Sequence, residues 1–168
     1  MMNRRDLMIG TAAAALVGPS VALGAKATNF SLRNLSGEEV SLSDFAGRVV
    51  FLSFWATWCG PCKVEMRHLH GFHEELEEQG LTVLFVSIDD ARAGMAVKQY
   101  VRKNRYQEKQ FLLDKESKVV GIYNPKKTVP YSVLVGRNGD VVKVWEGFNP
   151  GEEDAVKAQI LAELQKSA

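Results

Sequence analysis

Cysteine is scarce in this sequence: the chain has two among its 168 residues. Stability must therefore come from a hydrophobic core, and the length and the 46% of hydrophobic residues suffice for one core of ordinary size. An excess of one charge is also lacking, since the formal net charge is +1 and no basic stripe recurs. The sequence gives no electrostatic case for nucleic acid as a partner. Internal repeats and low-complexity tracts are absent too, which favours a single domain after the N-terminal region.

The first 25 residues have the composition of an export signal. Arg4–Arg5 supplies a basic start, Leu7–Val17 is nearly all apolar, and Ala22–Gly24 offers small residues for a possible cleavage site. The paired arginines resemble a twin-arginine signal, and the ordinary secretory route is the alternative. We predict that residues 1–25 are an export signal, cleaved or kept as a membrane anchor, and that 26–168 form one domain in the periplasm. A buried N-terminal helix is the alternative for this segment.

Hydrophobic residues along the rest of the chain follow the periods of strands and helices in alternation. Two short apolar runs, 49–55 and 81–88, predict buried strands, and the spacing of apolar residues after Cys62 predicts a helix between them that stops at Gly80. A helix that joins two strands in this way makes them parallel. The other predicted elements are a hairpin over 30–42, a helix over Ala91–Arg105 whose apolar set includes Met95, a short strand at 111–113, a brief helix or turn at 119–123, a hairpin over 131–145 and a C-terminal helix over 156–164. The predicted fold class is α/β, a mixed sheet with helices on both faces.

The two cysteines, Cys59 and Cys62, are separated by two residues and follow the first predicted buried strand. A Cys-x-x-Cys that leaves a strand and opens a helix indicates a redox dithiol rather than a structural staple, because so short a loop constrains the unfolded chain very little. Cys59 would stand at the helix N-terminus, where backbone N–H groups and the helix dipole stabilise a thiolate. We therefore predict that Cys59 is the nucleophile and that Cys62, one turn further and more buried, attacks the mixed disulfide and releases the product. The alternative is an inert disulfide or a pair of buried thiols.

Three histidines on the same predicted helix, His68, His70 and His73, raise the question of a metal site. His73 would lie near the face of Cys62 but about 16 Å along the helix axis, and His68 would project from another side. A single helix cannot bring these side chains into one tetrahedral shell, and no second Cys-x-x-Cys exists to complete it. We therefore expect no metal and no other cofactor, and we predict that the histidines are partly exposed helix residues.

Three segments together resemble a known family. The segment from Phe54 to Lys63, which contains the cysteines, is similar to the active-site segment of thioredoxin-fold proteins. The segment 128–135, followed by Gly139, resembles their cis-proline loop and the strand after it. The segment 29–47 adds a match to the exported TlpA/ResA-type thiol-disulfide oxidoreductases. The resemblance implies a thioredoxin-like fold with an N-terminal β-hairpin and an inserted helix near 91–105.

The resemblance also implies roles for four residues beside the dithiol. Glu65 matches an acidic residue of these proteins and would accept or return a proton as the buried thiol reacts; an ordinary surface glutamate is the alternative. Pro130, in cis, would hold Val129 so that the Val129 backbone pairs with an extended substrate peptide. Trp58 would cover the exposed sulfur and shape the docking of partners.

The chain also departs from cytoplasmic thioredoxins. Those proteins have an Asp where Ser53 stands and a Lys where Phe85 stands. The buried pair that carries protons in them is therefore missing here, which favours Glu65 as its replacement. Both departures leave the two cysteines unchanged, so the same thiol-disulfide exchange reaction is expected.

The dithiol and the resemblance together predict thiol-disulfide exchange outside the cytoplasm, with the Cys59–Cys62 pair reducing disulfides of partner proteins. The substrates would be disulfide-containing or dithiol proteins, and a membrane dithiol carrier would supply the electrons. Two alternatives stay open. A thiol peroxidase of the peroxiredoxin type needs a Thr three residues before its reactive cysteine, where this chain has Ala56, with Thr57 one step late. A non-catalytic binding module would keep the fold and would not need the cysteines.

Overall fold

The computed structural model describes residues 22–167 of the chain. The predicted export signal lies outside the described residues except for its last four positions. Within residues 22–167, no helix has both the length and the apolar character needed to cross a membrane. The strands are β1 (Ser31–Asn34), β2 (Glu39–Ser41), β3 (Val49–Trp55), β4 (Leu81–Ser87), β5 (Phe111–Leu113), β6 (Tyr131–Val135) and β7 (Val141–Glu146), and the helices are α1 (Gly60–Leu76), α2 (Gly94–Lys103), α3 (Lys118–Tyr123) and α4 (Glu153–Leu164).

The strands form one mixed sheet in the order β2-β1-β5-β4-β3-β6-β7. β3, β4 and β5 are parallel, whereas β6 pairs antiparallel with β3 on its other side. Every residue of β3 and β4 is buried, because helices cover both faces of the sheet. Helices α1, α2 and α4 pack on the face that carries Phe51, and α3 packs with the N-terminal segment on the face that carries Leu52. The prediction of a mixed sheet with helices on both faces is confirmed.

The strand register brings three distant segments to one end of the sheet. Phe54 lies opposite Tyr131 in the antiparallel pair, so the segment after β3 and the segment before β6 meet there. β4 ends at the same edge, because it runs parallel to β3 with Trp55 opposite Ser87. The dithiol, the proline before β6 and the residues after β4 are therefore neighbours in space although they are far apart in sequence.

The helix predicted over Ala91–Arg105 is divided into two shorter elements. A 3-10 turn over Ala91–Ala93, capped by the side chain of Asp90, precedes α2. Met95 is 69% exposed, so the prediction that it belongs to the packed face is wrong. Met95 stands two residues before the buried Val97, which places the two side chains about 200° apart around the helix.

The prediction of partial exposure agrees with His68 and His70 but is wrong for His73, which is buried. β5 begins opposite Phe85, two residues beyond Val83, so within residues 22–167 no strand pairs with β4 at Val83 on that side. There His73 Nδ1 accepts a hydrogen bond from the Val83 N–H at 3.3 Å, and the Gln110 amide donates to the Val83 carbonyl at 3.3 Å. Burial lowers the pKa of His73, which favours the neutral ring that this acceptor role requires.

Candidate active site

The dithiol lies at the N-terminal end of α1. Cys59 is the N-cap residue: its backbone is extended, and its N–H donates to the Ala56 carbonyl at 3.0 Å in the turn that joins β3 to the helix. Pro61 stands in the first turn, where its missing N–H costs no hydrogen bond. The N–H of Cys62 donates to Cys59 Sγ at 3.2 Å. The Cys59 sulfur therefore lies at the positive end of the helix dipole, where a thiolate is stabilised.

The two cysteine sulfurs are bonded to each other, so the structure shows the oxidised form. Cys62 is fully buried, whereas Cys59 keeps 4% of its surface exposed. Cys59 is therefore the more accessible residue of the pair in this form. This is the geometry that the predicted roles require, with Cys59 as the nucleophile and Cys62 as the residue that resolves the mixed disulfide.

Glu65 lies one helical turn beyond Cys62 and is buried. Its carboxyl group accepts hydrogen bonds from the Ser132 hydroxyl at 2.8 Å and from the Ser53 hydroxyl at 3.2 Å. These two serines face each other across β6 and β3. Burial raises the pKa of Glu65 to about 7, and the two hydroxyl groups offset part of that effect. Glu65 is therefore not an ordinary surface glutamate, and it can take or give a proton near neutral pH.

The peptide bond between Val129 and Pro130 is cis, as the resemblance implies. Pro130 is buried directly before β6, and its carbonyl accepts a hydrogen bond from the N–H of Gly147 at 2.8 Å. Val129 is half-buried and packs against the hydrophobic clusters of both sheet faces. Because β6 begins where β3 ends, Val129 lies at the same edge of the sheet as the dithiol.

The two tryptophans near the dithiol have different surroundings. Trp55 is fully buried and packs against Tyr100 and Phe111, with ring centroids 5.4 Å and 5.9 Å away. Trp58 is 70% exposed and directly precedes Cys59. Its large apolar surface is therefore available to a partner. That Trp58 covers the sulfur and shapes docking stays a prediction.

Two buried polar residues at this end of the sheet escape prediction from the sequence: Ser132 and Asp89. The carboxylate of Asp89 accepts hydrogen bonds from the Thr57 N–H at 2.9 Å, from the Thr57 hydroxyl at 2.6 Å and from the Ser87 hydroxyl at 2.9 Å. The only signal for either residue is its polarity, because Ser132 interrupts an apolar run and Asp89 follows one. Such a pattern marks a polar residue near a buried strand but does not say what that residue contacts.

Comparison with known proteins gives relatives in sequence and in structure. The family model described as the AhpC/TSA family matches residues 23–144. A thiol-disulfide oxidoreductase ResA of Bacillus cereus is 32% identical over 145 residues, which cover 86% of this chain and 78% of that protein. A Chlorobium tepidum structure assigned as the thiol:disulfide interchange protein DsbE has 35% identity and a TM-score of 0.78, with 86% of this chain and 99% of that chain covered. The exposed lipoprotein thioredoxin of Streptococcus pneumoniae strain TIGR4 has 25% identity and a TM-score of 0.68, with 80% and 99% covered. These similarities confirm the predicted thioredoxin-like fold.

Proposed function

The chain belongs to the AhpC/TSA family of thioredoxin-fold proteins, and from that premise we propose that it reduces disulfides of partner proteins outside the cytoplasm, with Cys59 and Cys62 as its redox pair. Its activity class is protein-disulfide oxidoreductase, as for its relatives ResA and DsbE. The observation that carries the proposal is the disulfide at the N-terminus of α1, in which Cys62 is fully buried and Cys59 keeps a small exposed surface. Disulfide exchange depends on that placement, because the helix N-terminus stabilises the Cys59 thiolate and the burial of Cys62 limits attack to Cys59. An inert structural disulfide would need neither property.

The proposed reaction begins with the reduced pair. The Cys59 thiolate attacks one sulfur of the substrate disulfide, a bond forms between the two sulfurs, and the other substrate sulfur leaves as a thiolate. The Cys62 thiol then loses its proton and attacks the Cys59 sulfur, which releases the second substrate thiolate. The Cys59–Cys62 disulfide of the structure is the product on the protein, and two electrons have passed to the substrate.

Glu65 is the proposed acceptor of the Cys62 proton. Cys62 is fully buried, so its thiol needs a base inside the protein, and Glu65 lies one turn away on the same helix. A carboxyl group with a pKa of about 7 is partly ionised at neutral pH and can accept that proton. The hydroxyl groups of Ser53 and Ser132 hold the carboxyl group in place for this step.

Substrate docking is proposed at the edge formed by Val129 and Trp58. Val129 precedes β6 at the end of the sheet where Cys59 lies, so an extended substrate segment could pair with its backbone. The exposed ring of Trp58 would contact apolar side chains of the same segment. The occupant of this edge is therefore a disulfide-containing or dithiol protein.

The proposed location is the periplasm. The export-signal composition of residues 1–25 supports it, and retention of that signal would give a membrane-anchored form. The similarity to an exposed lipoprotein of Streptococcus pneumoniae agrees with a place outside the cytoplasm. That environment is oxidising and lacks the cytosolic thiol systems. We therefore assign the supply of electrons to a membrane dithiol carrier.

The surroundings of Thr57 favour disulfide exchange over peroxide reduction. A peroxidase of the peroxiredoxin type would have a threonine where Ala56 stands. The hydroxyl of Thr57, one position later, donates to the Asp89 carboxylate at 2.6 Å. Its proton is therefore directed to Asp89 rather than to a peroxide at Cys59.

The equilibrium reduction potential of the Cys59–Cys62 pair tests the direction of the reaction. The buried carboxylate of Asp89, together with the ionised fraction of Glu65, disfavours the thiolate and with it the reduced form. We expect a potential near that of thioredoxin, about −270 mV. The measurement equilibrates the protein with dithiothreitol buffers and counts its thiols by alkylation and mass. A value near about −120 mV, typical of a strong oxidant, would contradict the reductase direction.

A further inference from the structure

Asp89 connects the end of β4 to the segment that carries Cys59. We call residues 56–59, which lie between β3 and α1, the Cys59 loop. Asp89 is 6% exposed, and its carboxylate accepts two hydrogen bonds from Thr57 and one from Ser87. The Thr57 N–H can only donate, and both hydroxyl groups can donate as well, so all three suit a carboxylate as their acceptor. A buried negative charge therefore lies against the Cys59 loop.

We propose that Asp89 is a positioning residue for disulfide exchange: it holds the Cys59 loop in place through Thr57 and makes the Cys59 thiolate less stable. The inference rests on the proposed function and deepens it. It assigns the placement of the reactive sulfur, and part of the reducing character of the pair, to one residue outside the Cys-x-x-Cys motif.

The positioning follows from the two hydrogen bonds of Thr57. Its backbone N–H and its hydroxyl both donate to Asp89, so one carboxylate fixes the loop in distance and in orientation. The bond from the Cys59 N–H to the Ala56 carbonyl makes the loop a compact turn, so a fixed Thr57 also fixes Cys59 two residues later. Attack on a disulfide needs the sulfur in a defined geometry, and a small displacement lowers the rate.

The electrostatic effect follows from the short distance. Only Trp58 separates Thr57 from Cys59 in this compact turn, so the Asp89 carboxylate lies within about 10 Å of the Cys59 backbone. A buried negative charge at that distance opposes the formation of a second one. Because only the reduced pair can carry a thiolate, Asp89 favours the disulfide form. The N-terminus of α1 acts in the opposite direction, and the balance between the two sets how reducing the pair is.

The test compares Asp89→Asn with Asp90→Asn in the full chain. The first variant removes the buried charge and keeps the size of the side chain. The second removes the exposed carboxylate of the next residue, which caps the following turn by accepting from the N–H groups of Arg92 and Ala93. The readout is the equilibrium constant with dithiothreitol at pH 7. We expect Asp89→Asn to shift it toward the reduced protein by roughly threefold to tenfold, and Asp90→Asn to change it by less than about twofold.

Equal equilibrium constants for Asp89→Asn and Asp90→Asn, with both variants folded, would overturn the proposal.

Positioning is measured separately with Thr57→Val, which removes the hydroxyl donor, and Thr57→Ser, which keeps it. We expect Thr57→Val to lower the rate of insulin reduction about fivefold, the effect of one lost hydrogen bond, and Thr57→Ser to restore most of the rate. If Asp89→Asn does not fold, this second pair carries the test, and equal rates for Thr57→Val and Thr57→Ser would overturn it.

Failure of the proposed function would give a different result. A wild-type protein that does not reduce insulin would contradict the proposed function, while the equilibrium with dithiothreitol would still report the effect of Asp89. If the wild-type protein reduces insulin and Asp89→Asn matches Asp90→Asn, only the inference about Asp89 fails.

Discussion

Replacing Cys59 by serine is expected to abolish the reduction of protein disulfides, with the rate falling at least about 1,000-fold. Cys59 is the residue of the pair that keeps exposed surface, and its sulfur accepts the hydrogen bond from the Cys62 N–H at the start of α1. A serine hydroxyl at the same place does not ionise near neutral pH and does not attack a disulfide. The rate is measured by alkylating the thiols that the reduced protein generates on insulin.

The matched change is Cys62→Ser, which keeps the nucleophile and removes the thiol that releases the product. We expect this variant to accumulate a covalent complex with insulin that disappears when dithiothreitol is added, because nothing resolves the mixed disulfide. Cys59→Ser should form no such complex. A complex that forms equally with both variants would contradict the division of roles. If the protein were a non-catalytic binding module, both Cys59→Ser and Cys62→Ser would instead keep its cellular function.

Glu65→Gln is expected to remove a large part of the pH dependence of stability. The pKa of Glu65 is about 7 in the folded protein, whereas its ordinary value is 4.5. Between these values the unfolded chain has lost the proton and the folded protein has kept it, so stability falls as pH rises. Glu65 alone should lower the free energy of unfolding by roughly 2–3 kcal/mol between pH 5 and pH 8. Glutamine does not titrate, so the variant lacks this loss.

The measurement is urea unfolding of the oxidised protein at both pH values, since paired cysteines do not titrate. Glu78→Gln is the control, because it removes an exposed carboxylate just beyond α1. In this control the difference in unfolding free energy between pH 5 and pH 8 should deviate from that of the wild type by less than about 0.5 kcal/mol. His73, whose lowered pKa acts in the opposite direction below 6.5, is present in all three proteins and cancels. An equal pH dependence in wild type and Glu65→Gln would contradict a buried, neutral Glu65.

Most of the fold can be predicted because local patterns determine it. The apolar runs of β3 and β4 are long enough to require burial on both faces, and the structure buries all of both strands. Gly80, predicted to stop the first helix, adopts a backbone conformation with φ of +105°, which glycine tolerates best. The positions of Cys59 and Cys62 relative to that helix follow from the same pattern. The chemistry of the dithiol is therefore readable from a short stretch of sequence.

The polar contacts of the site could not be predicted in the same way, because each joins residues that are distant in sequence. Ser132 reaches Glu65 only because β6 pairs with β3 in one particular register. Asp89 reaches Thr57 because β4 and β3 end at the same edge. His73 can accept from the Val83 N–H because β5 begins only two residues further along β4. A single sequence gives the polarity of these residues but not the register that brings them together.

The central claim is that the Cys59–Cys62 pair passes two electrons to protein disulfides. The most direct test mixes the fully reduced protein with oxidised insulin in equal amounts, quenches the mixture by alkylation and counts thiols on both proteins by mass. We predict that each protein molecule that loses two thiols forms the Cys59–Cys62 disulfide, while insulin gains two thiols. A protein that keeps both thiols while insulin stays oxidised would contradict the account.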